Sequence, residues 1–415
     1  MKAQEIITPS LVTGMATNDK KVLYGIMMVL SLIFVISPLA GMLVTLLFTW
    51  FFKTWRMAKF GTVILVLFMW CVESTRTFSI GERGDFPGYM TLFQSLEVMP
   101  LWKLVLLPST STAITPGNTT IEYGWQVFNR IGYSFFGDNF FHFAYCVIAS
   151  SYLLIFSAIY KYTRSIGANV RYYLCAIAFL AFLSSYFAIC NNLFRQQTAM
   201  SLVIYVLVDK VVNNKFRWYL LLIAASFHTM CVAFLPLFFV KLYKKPTLKF
   251  IGIVAVFFAL LLFAIQRLDM LSVISIGAVQ KLATASEYTG TDVMETTAAI
   301  KYFILIALMY VVVIGIQKKV HPNTIAMMNI TMIMALLYIV LEPLPLIQIR
   351  YYITRFLFLP FIIPYFFNKN NFVGDMYTLG VIGLFILMFF NTEFEHFKFT
   401  FDELFSNTIF NYNIL

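Results

Sequence analysis

Apolar runs recur along nearly the whole chain, separated by short loops in which lysine and arginine collect. Lipid offers no partner to an unpaired backbone N–H or C=O, so a run of about 20 such residues crosses the roughly 30 Å hydrocarbon layer as a helix. The 415 residues are 60% hydrophobic and 12% charged, whereas soluble domains carry about 25% charged residues. The chain therefore reads as an all-α, polytopic integral membrane protein, one membrane domain over residues 1–415. A net charge of +11 raises a nucleic-acid partner, but the basic residues lie in inter-span loops, where they set orientation. No nucleic-acid partner is expected.

Counting Lys and Arg as cytoplasmic markers puts several segments on one side: Lys20 and Lys21; Lys53, Arg56 and Lys59; Lys161, Arg164 and Arg171; residues 210–217, 241–249 and 318–319; and Lys369. About 11 spans fit between them, near residues 22–37, 41–52, 60–75, 140–160, 172–190, 196–212, 250–266, 298–316, 323–341, 351–367 and 374–391. Residues 22–52 read equally as one long helix interrupted at Pro38 and Gly41. Residues 218–240 form an apolar run with basic loops at both ends, which a straight helix cannot satisfy. They read as a broken or re-entrant hairpin with Ser226, Phe227, His228 and Thr229 at its apex, the bland alternative being one span with an atypical loop. Residues 76–139 and 268–297 are expected to be periplasmic loops, and the tail after Asn391 a third outer piece. The first span, lacking a small-residue cleavage site before it, reads as a retained anchor. All five cysteines fall in or beside spans without a CxxC pair, and no internal repeat divides the chain.

Phosphate-loop, HExxH, GxSxG and paired DxD motifs are absent from the sequence, so neither nucleotide hydrolysis nor a cofactor is expected. What the chain does carry is a set of ionisable groups at the outer ends of spans: Arg76, Arg83, Asp85, Glu122, Arg130, Arg195, His228 and Arg350. Arg195 stands in NNLFRQQTA between two apolar runs. Moving such a charge towards the bilayer centre costs at least about 2.5 to 3.5 kcal/mol, which makes it a candidate for gripping a ligand, unless it merely snorkels to the headgroups. Arginine's planar fork of five donors suits diphosphate oxygens better than lysine's point charge.

Five short patterns in order then resemble the Wzy-type polysaccharide polymerases, specifically the EpsG-like branch, over about residues 73–365. They are Arg76 followed by Gly84, Asp85 and Tyr89; Glu122, Tyr123, Gly124 and Trp125; Arg195, Gln196 and Ala199; the pair Phe227 and His228; and Arg350, Tyr351 and Tyr352 followed by Pro360 and Pro364. Phe86, Tyr123 and Thr198 depart from the residues usual at those places. The resemblance implies a metal-independent glycosyltransferase in the bacterial inner membrane. It would move a growing glycan from undecaprenyl diphosphate onto a new lipid-linked repeat unit on the periplasmic face. Its partners would be lipid-linked donor and acceptor glycans, membrane lipid and a chain-length regulator. Arg195 would stabilise the leaving diphosphate and His228 act as general base, with Arg76, Asp85, Tyr89, Glu122, Gln196, Arg350 and Tyr351 binding substrate.

On the residues alone, Asp85 and Glu122 rival His228 as base or else pair with an arginine, and a histidine at a helix break often only packs. His142, His321 and His396 are assigned no chemistry. Tyr89, Trp125, Tyr351 and Tyr352 read first as interfacial-belt aromatics and second as sugar-stacking rings. A lipid-linked oligosaccharide flippase, expected to show symmetric halves, and a multi-span O-acyltransferase, expected to use a histidine on the cytoplasmic side, are the alternatives.

Overall fold

A computed structural model describes residues 17–77, 85–97, 123–239, 296–316, 320–342, 345–363, 372–394 and 396–412, and every named element among them is helical. Helices α1 (Thr17–Ile36) and α2 (Pro38–Phe52) break at Ser37, whose hydroxyl accepts the Ala40 N–H at 3.3 Å, with Pro38 pre-set for the first helical turn. The chain folds back sharply there. A Cβ on Gly41 would lie 2.2 Å from the Phe34 Cα, so the close approach requires glycine, and the single-long-helix reading of residues 22–52 is excluded.

Next come α3 (Trp55–Glu73), α4 (Asp85–Ser95), α5 (Tyr123–Phe136), α6 (Phe140–Ser165), α7 (Val170–Ala181), α8 (Ser184–Asn192), α9 (Phe194–Asn213) and α10 (Trp218–Phe227). After two short turns, Thr229–Phe234 and Pro236–Phe239, the described chain resumes with α11 (Thr296–Tyr310), α12 (Pro322–Val340), α13 (Pro345–Ile353), α14 (Phe372–Phe390) and α15 (Phe401–Ser406). Among the described residues, α3, α6 and α12 are long and apolar enough to cross a bilayer singly, and α7 with α8 qualifies as a pair bent by 56°. Among the described residues this makes three spans, or four with the bent pair, and the expected count of about 11 is not reached. Residues 172–190 are broken, and α1, α2, α10, α11 and α14 are apolar but shorter. The expected span at 351–367 starts earlier, at Pro345, and breaks at Thr354 and again near Pro360, where a ring without an N–H cannot continue the ladder. Span 250–266 lies outside the described residues, as does most of the 268–297 segment. Residues 76–139 hold two helices, α4 and α5, that pack into the core.

The centre of the bundle is α6 against α9, the most extensive helix pair. Lipid supplies no hydrophobic drive between helices, so small and polar residues join them. Here the Ser151 hydroxyl donates to Thr198 Oγ1 at 3.1 Å in a buried position.

The basic loops meet at one end. Buried Asp209 takes Lys161 at 3.2 Å, Arg217 Nε at 2.5 Å and Asn213 at 2.7 Å; Arg171 pairs with Asp375 and lies 4.9 Å over Trp50; Asn323 at the start of α12 reaches Ser165 at 3.0 Å. The start of α6, Phe140 and Phe143, meets Phe93 of α4 at the opposite end. Residues 218–240 join the two levels as a hairpin. α10 leaves Phe216, ends at His228 in extended backbone, and the chain returns to bring the Phe238 ring to 5.2 Å from Phe216. The sequence expectation for this segment matches what is seen.

Cysteines introduced as Lys215→Cys and Glu97→Cys, both exposed, should react with an impermeant maleimide from opposite sides of intact membranes. Equal labelling of the two from one side would contradict this arrangement.

Candidate functional site

The α9 helix begins with Phe194, fully buried, and four aromatic rings converge on it: Tyr89 at 4.6 Å, Trp125 at 5.2 Å, and Phe86 and Phe140 at 6.0 Å. Phe86 and Tyr89 are three residues apart on α4 and so share a face. Each carries a guanidinium. Arg76 stands 3.6 Å over Phe86, with the Phe397 ring at 5.4 Å, and Arg195 stands 5.5 Å from the centre of Tyr89. A ring face attracts a desolvated cation by about 2 kcal/mol or more without neutralising it.

The hairpin apex docks beside this cluster. Trp125 and Phe128 of α5 meet Phe227 at 5.6 and 5.1 Å, and Gly124 sits so close to Ser226 that an added Cβ would lie 1.9 Å from its hydroxyl. Gly124 is the residue that lets the two segments touch. His228, buried, caps the following turn: its Nδ1 accepts the Met230 N–H at 3.3 Å. That bond favours the neutral tautomer with Nδ1 bare and the proton on Nε2. Tyr351 donates to the Met230 carbonyl at 3.0 Å and stacks on Phe234, while Gln196 Nε2 donates to the Arg350 carbonyl at 2.8 Å.

Residues of all five sequence patterns therefore converge. Glu122 and Arg83 lie outside the described residues. Arg350 joins the cluster through its backbone, and Arg130 turns to Ser134 and Tyr133 on its own helix. Asp85, one of the two carboxylates expected either to act as base or to hold an arginine, instead accepts from the Tyr89 hydroxyl at 3.3 Å. The belt reading of Tyr89, Trp125 and Tyr351 is corrected, since all three are buried in the bundle and Trp125 is only 1% exposed. Their rings serve contacts between helices, which is why they do not face the membrane interface. Beside Gln196, whose Oε1 has no partner among the described residues, a narrow cavity opens between Leu193, Gln197, Met200, Thr354 and Leu357.

Two features escape the sequence reading. Glu73, 1% exposed, closes α3 three residues before Arg76 and accepts from Asn191 at 3.0 Å, tying the Arg76 turn to the segment that leads to Arg195. An acid at the end of an apolar run is itself a signal. The tail is the second. Thr77 donates to the His396 carbonyl at 2.8 Å, Lys398 to Thr75 at 3.2 Å, and Arg76 pairs with Phe397 as an isolated antiparallel bridge. Alternating Phe397, Phe399 and Phe401 were the available clue.

Fold and site together define a helical membrane protein that seats arginines on aromatic faces at the end opposite its basic loops. The chain belongs to the EpsG family, whose model matches residues 59–414. That family is of the polysaccharide-biosynthesis, polymerase type, and the matched segment contains every residue of the cluster. Neither a curated protein nor a solved structure matches the chain.

Gly124→Ala should destabilise the protein by about 1 to 3 kcal/mol through overpacking. Adding Ser226→Gly, which removes the hydroxyl and Cβ that the new methyl would meet, should restore most of the loss in thermal melts.

Proposed function

We propose that the chain polymerises oligosaccharide repeat units carried on undecaprenyl diphosphate at the periplasmic face of a bacterial inner membrane. The observation that supports this best is the pairing of two arginines on one face of α4, Arg76 over Phe86 and Arg195 by Tyr89. The rings that seat the two forks are one helical turn apart on α4, and arginine forks suit linked phosphates.

In the reaction, a hydroxyl oxygen of the acceptor repeat unit bonds to the anomeric carbon of the donor glycan. The bond from that carbon to the diphosphate oxygen breaks, and the lipid diphosphate leaves with the electron pair. Arg195 and Arg76 stabilise the charge that develops there, usually the largest single contribution to such a step. The hydroxyl proton passes to a carboxylate. Asp85, held by Tyr89, is the described candidate, and Glu122 remains the second. His228, whose Nδ1 accepts from Met230, donates from Nε2 to a sugar or phosphate oxygen. Gln196, Arg350 and Tyr351 hold the α9, α13 and hairpin segments in register around the site.

Purified protein reconstituted with a defined lipid-diphosphate oligosaccharide should lengthen the glycan. Transfer between leaflets without lengthening would instead favour a flippase. In this assay Arg195→Lys, which keeps the charge and loses the fork, should reduce turnover at least about tenfold, and Arg195→Gln by about 100- to 1,000-fold. Insertion into the membrane should be unchanged in both.

The two acid–base assignments separate by substitution. His228→Gln keeps an N–H donor and should stay within about tenfold of wild type, whereas Asp85→Asn should lose roughly 100- to 10,000-fold. The reverse order, with loss of the acidic limb of the pH profile in His228→Gln, would return the base role to the histidine.

A further inference from the structure

Arg355 lies outside every pattern discussed so far. Its guanidinium stands 3.5 Å over the Tyr352 ring and 4.1 Å from the Phe356 ring, and one of its nitrogens donates to the Tyr352 carbonyl at 3.1 Å. Three tyrosines form a wall beside it, with Tyr302, Tyr338 and Tyr352 ring centres 5.6 to 6.0 Å apart. All three hydroxyls are within electrostatic reach of the charge.

At the basic end of the bundle cations are met by carboxylates: Lys161 and Arg217 by Asp209, Arg171 by Asp375. Arg355 is not, among the described residues. Nor is the wall fully satisfied. Tyr352 donates to Ala298 and Tyr338 pairs with Thr354, but the Tyr302 hydroxyl, on a residue 6% exposed, has no hydrogen-bond partner among the described residues. A buried hydroxyl left unpaired costs about 1 to 3 kcal/mol, and a permanent charge in the membrane without a counter-charge costs more. Both are relieved by an anion with oxygen acceptors.

The level of this pocket narrows the choice of anion. α12 starts at the basic end, where Asn323 meets Ser165, so Tyr338 in its last turn lies towards the other end, with Ala298 and Tyr302 in the first two turns of α11. Gln196 binds the Arg350 carbonyl only five residues from Arg355. Arg355 thus lies in the same half of the bundle as Arg76 and Arg195. A polymerase must hold two lipid-linked substrates at once, and the cluster at α4 accounts for one diphosphate.

We propose that Arg355, with Tyr302, Tyr338 and Tyr352, binds the phosphates of a second isoprenoid-linked diphosphate, that of the acceptor repeat unit. This rests on the polymerase reading above. Arg355 acts by holding the acceptor lipid and takes no part in bond making.

The test is native mass spectrometry of the full chain in nanodiscs with added undecaprenyl diphosphate, counting bound molecules and titrating each. Wild type should hold two. Arg355→Gln should hold one, Arg195→Gln one, and the double variant none. Tyr302→Phe should keep two but weaken one about fivefold, the worth of a single hydrogen bond. If Arg355→Gln does not fold, Arg355→Lys is read in its place: about tenfold weaker binding of the second lipid supports the proposal, and unchanged binding overturns it. Two lipids bound by Arg355→Gln with wild-type affinity would overturn it, as would displacement of the Arg355-dependent molecule by an equal mole fraction of phosphatidylglycerol, which would mark an ordinary headgroup site. One lipid in wild type, lost only with Arg195→Gln, overturns this proposal and leaves the polymerase reading standing. No lipid bound by wild type overturns both.

Discussion

A guanidinium cannot give up its charge inside a membrane protein, and how each one is accommodated divides this molecule into two ends. At the basic end the cations of Lys161, Arg217 and Arg171 face the carboxylates of Asp209 and Asp375. At the other end Arg76, Arg195 and Arg355 rest on the rings of Phe86, Tyr89 and Tyr352. The two solutions differ in what they leave over. A carboxylate neutralises its partner, whereas a ring face does not, so Arg355, which meets no carboxylate among the described residues, keeps its charge available to an incoming anion. The first arrangement stabilises a fold; the second suits a phosphate site.

The aromatic cluster also explains how distant segments are held together. Phe194 starts α9 and receives rings from α4, α5 and α6, and Trp125 passes the contact on to Phe227 at the hairpin apex. Edge-to-face packing of this kind is directional, so the register of α4, α9 and the hairpin is set by few contacts. Gly124 and Gly41 allow two of the closest backbone approaches, and both stand where the chain folds against itself. Polar cross-links then lock the arrangement: Gln196 to the Arg350 carbonyl, Tyr351 to Met230, Asn191 to Glu73.

Much of this was legible beforehand. Membrane class and helical content follow from the apolar runs, the broken hairpin at 218–240 from a charge pattern no straight helix satisfies, and the shared end of Arg76 and Arg195 from counting lysines. Other features were not. Tyr89, Trp125 and Tyr351 resemble interfacial aromatics in composition, and only packing shows them buried. The tyrosine-walled Arg355 and the tail strand at Phe397 depend on partners tens to hundreds of residues away, for which a single chain read in order gives no distance.

The amino-acid order by itself determined which stretches enter the bilayer, which loops carry the orienting charge and which residue types are available for phosphate chemistry, because each of these depends on local apolarity and charge. Tertiary structure alone decided which ring meets which guanidinium, which backbone N–H the His228 Nδ1 accepts and which amide reaches Glu73. Those outcomes arise from contacts a few ångströms across between helices remote in the chain, and no local periodicity encodes them.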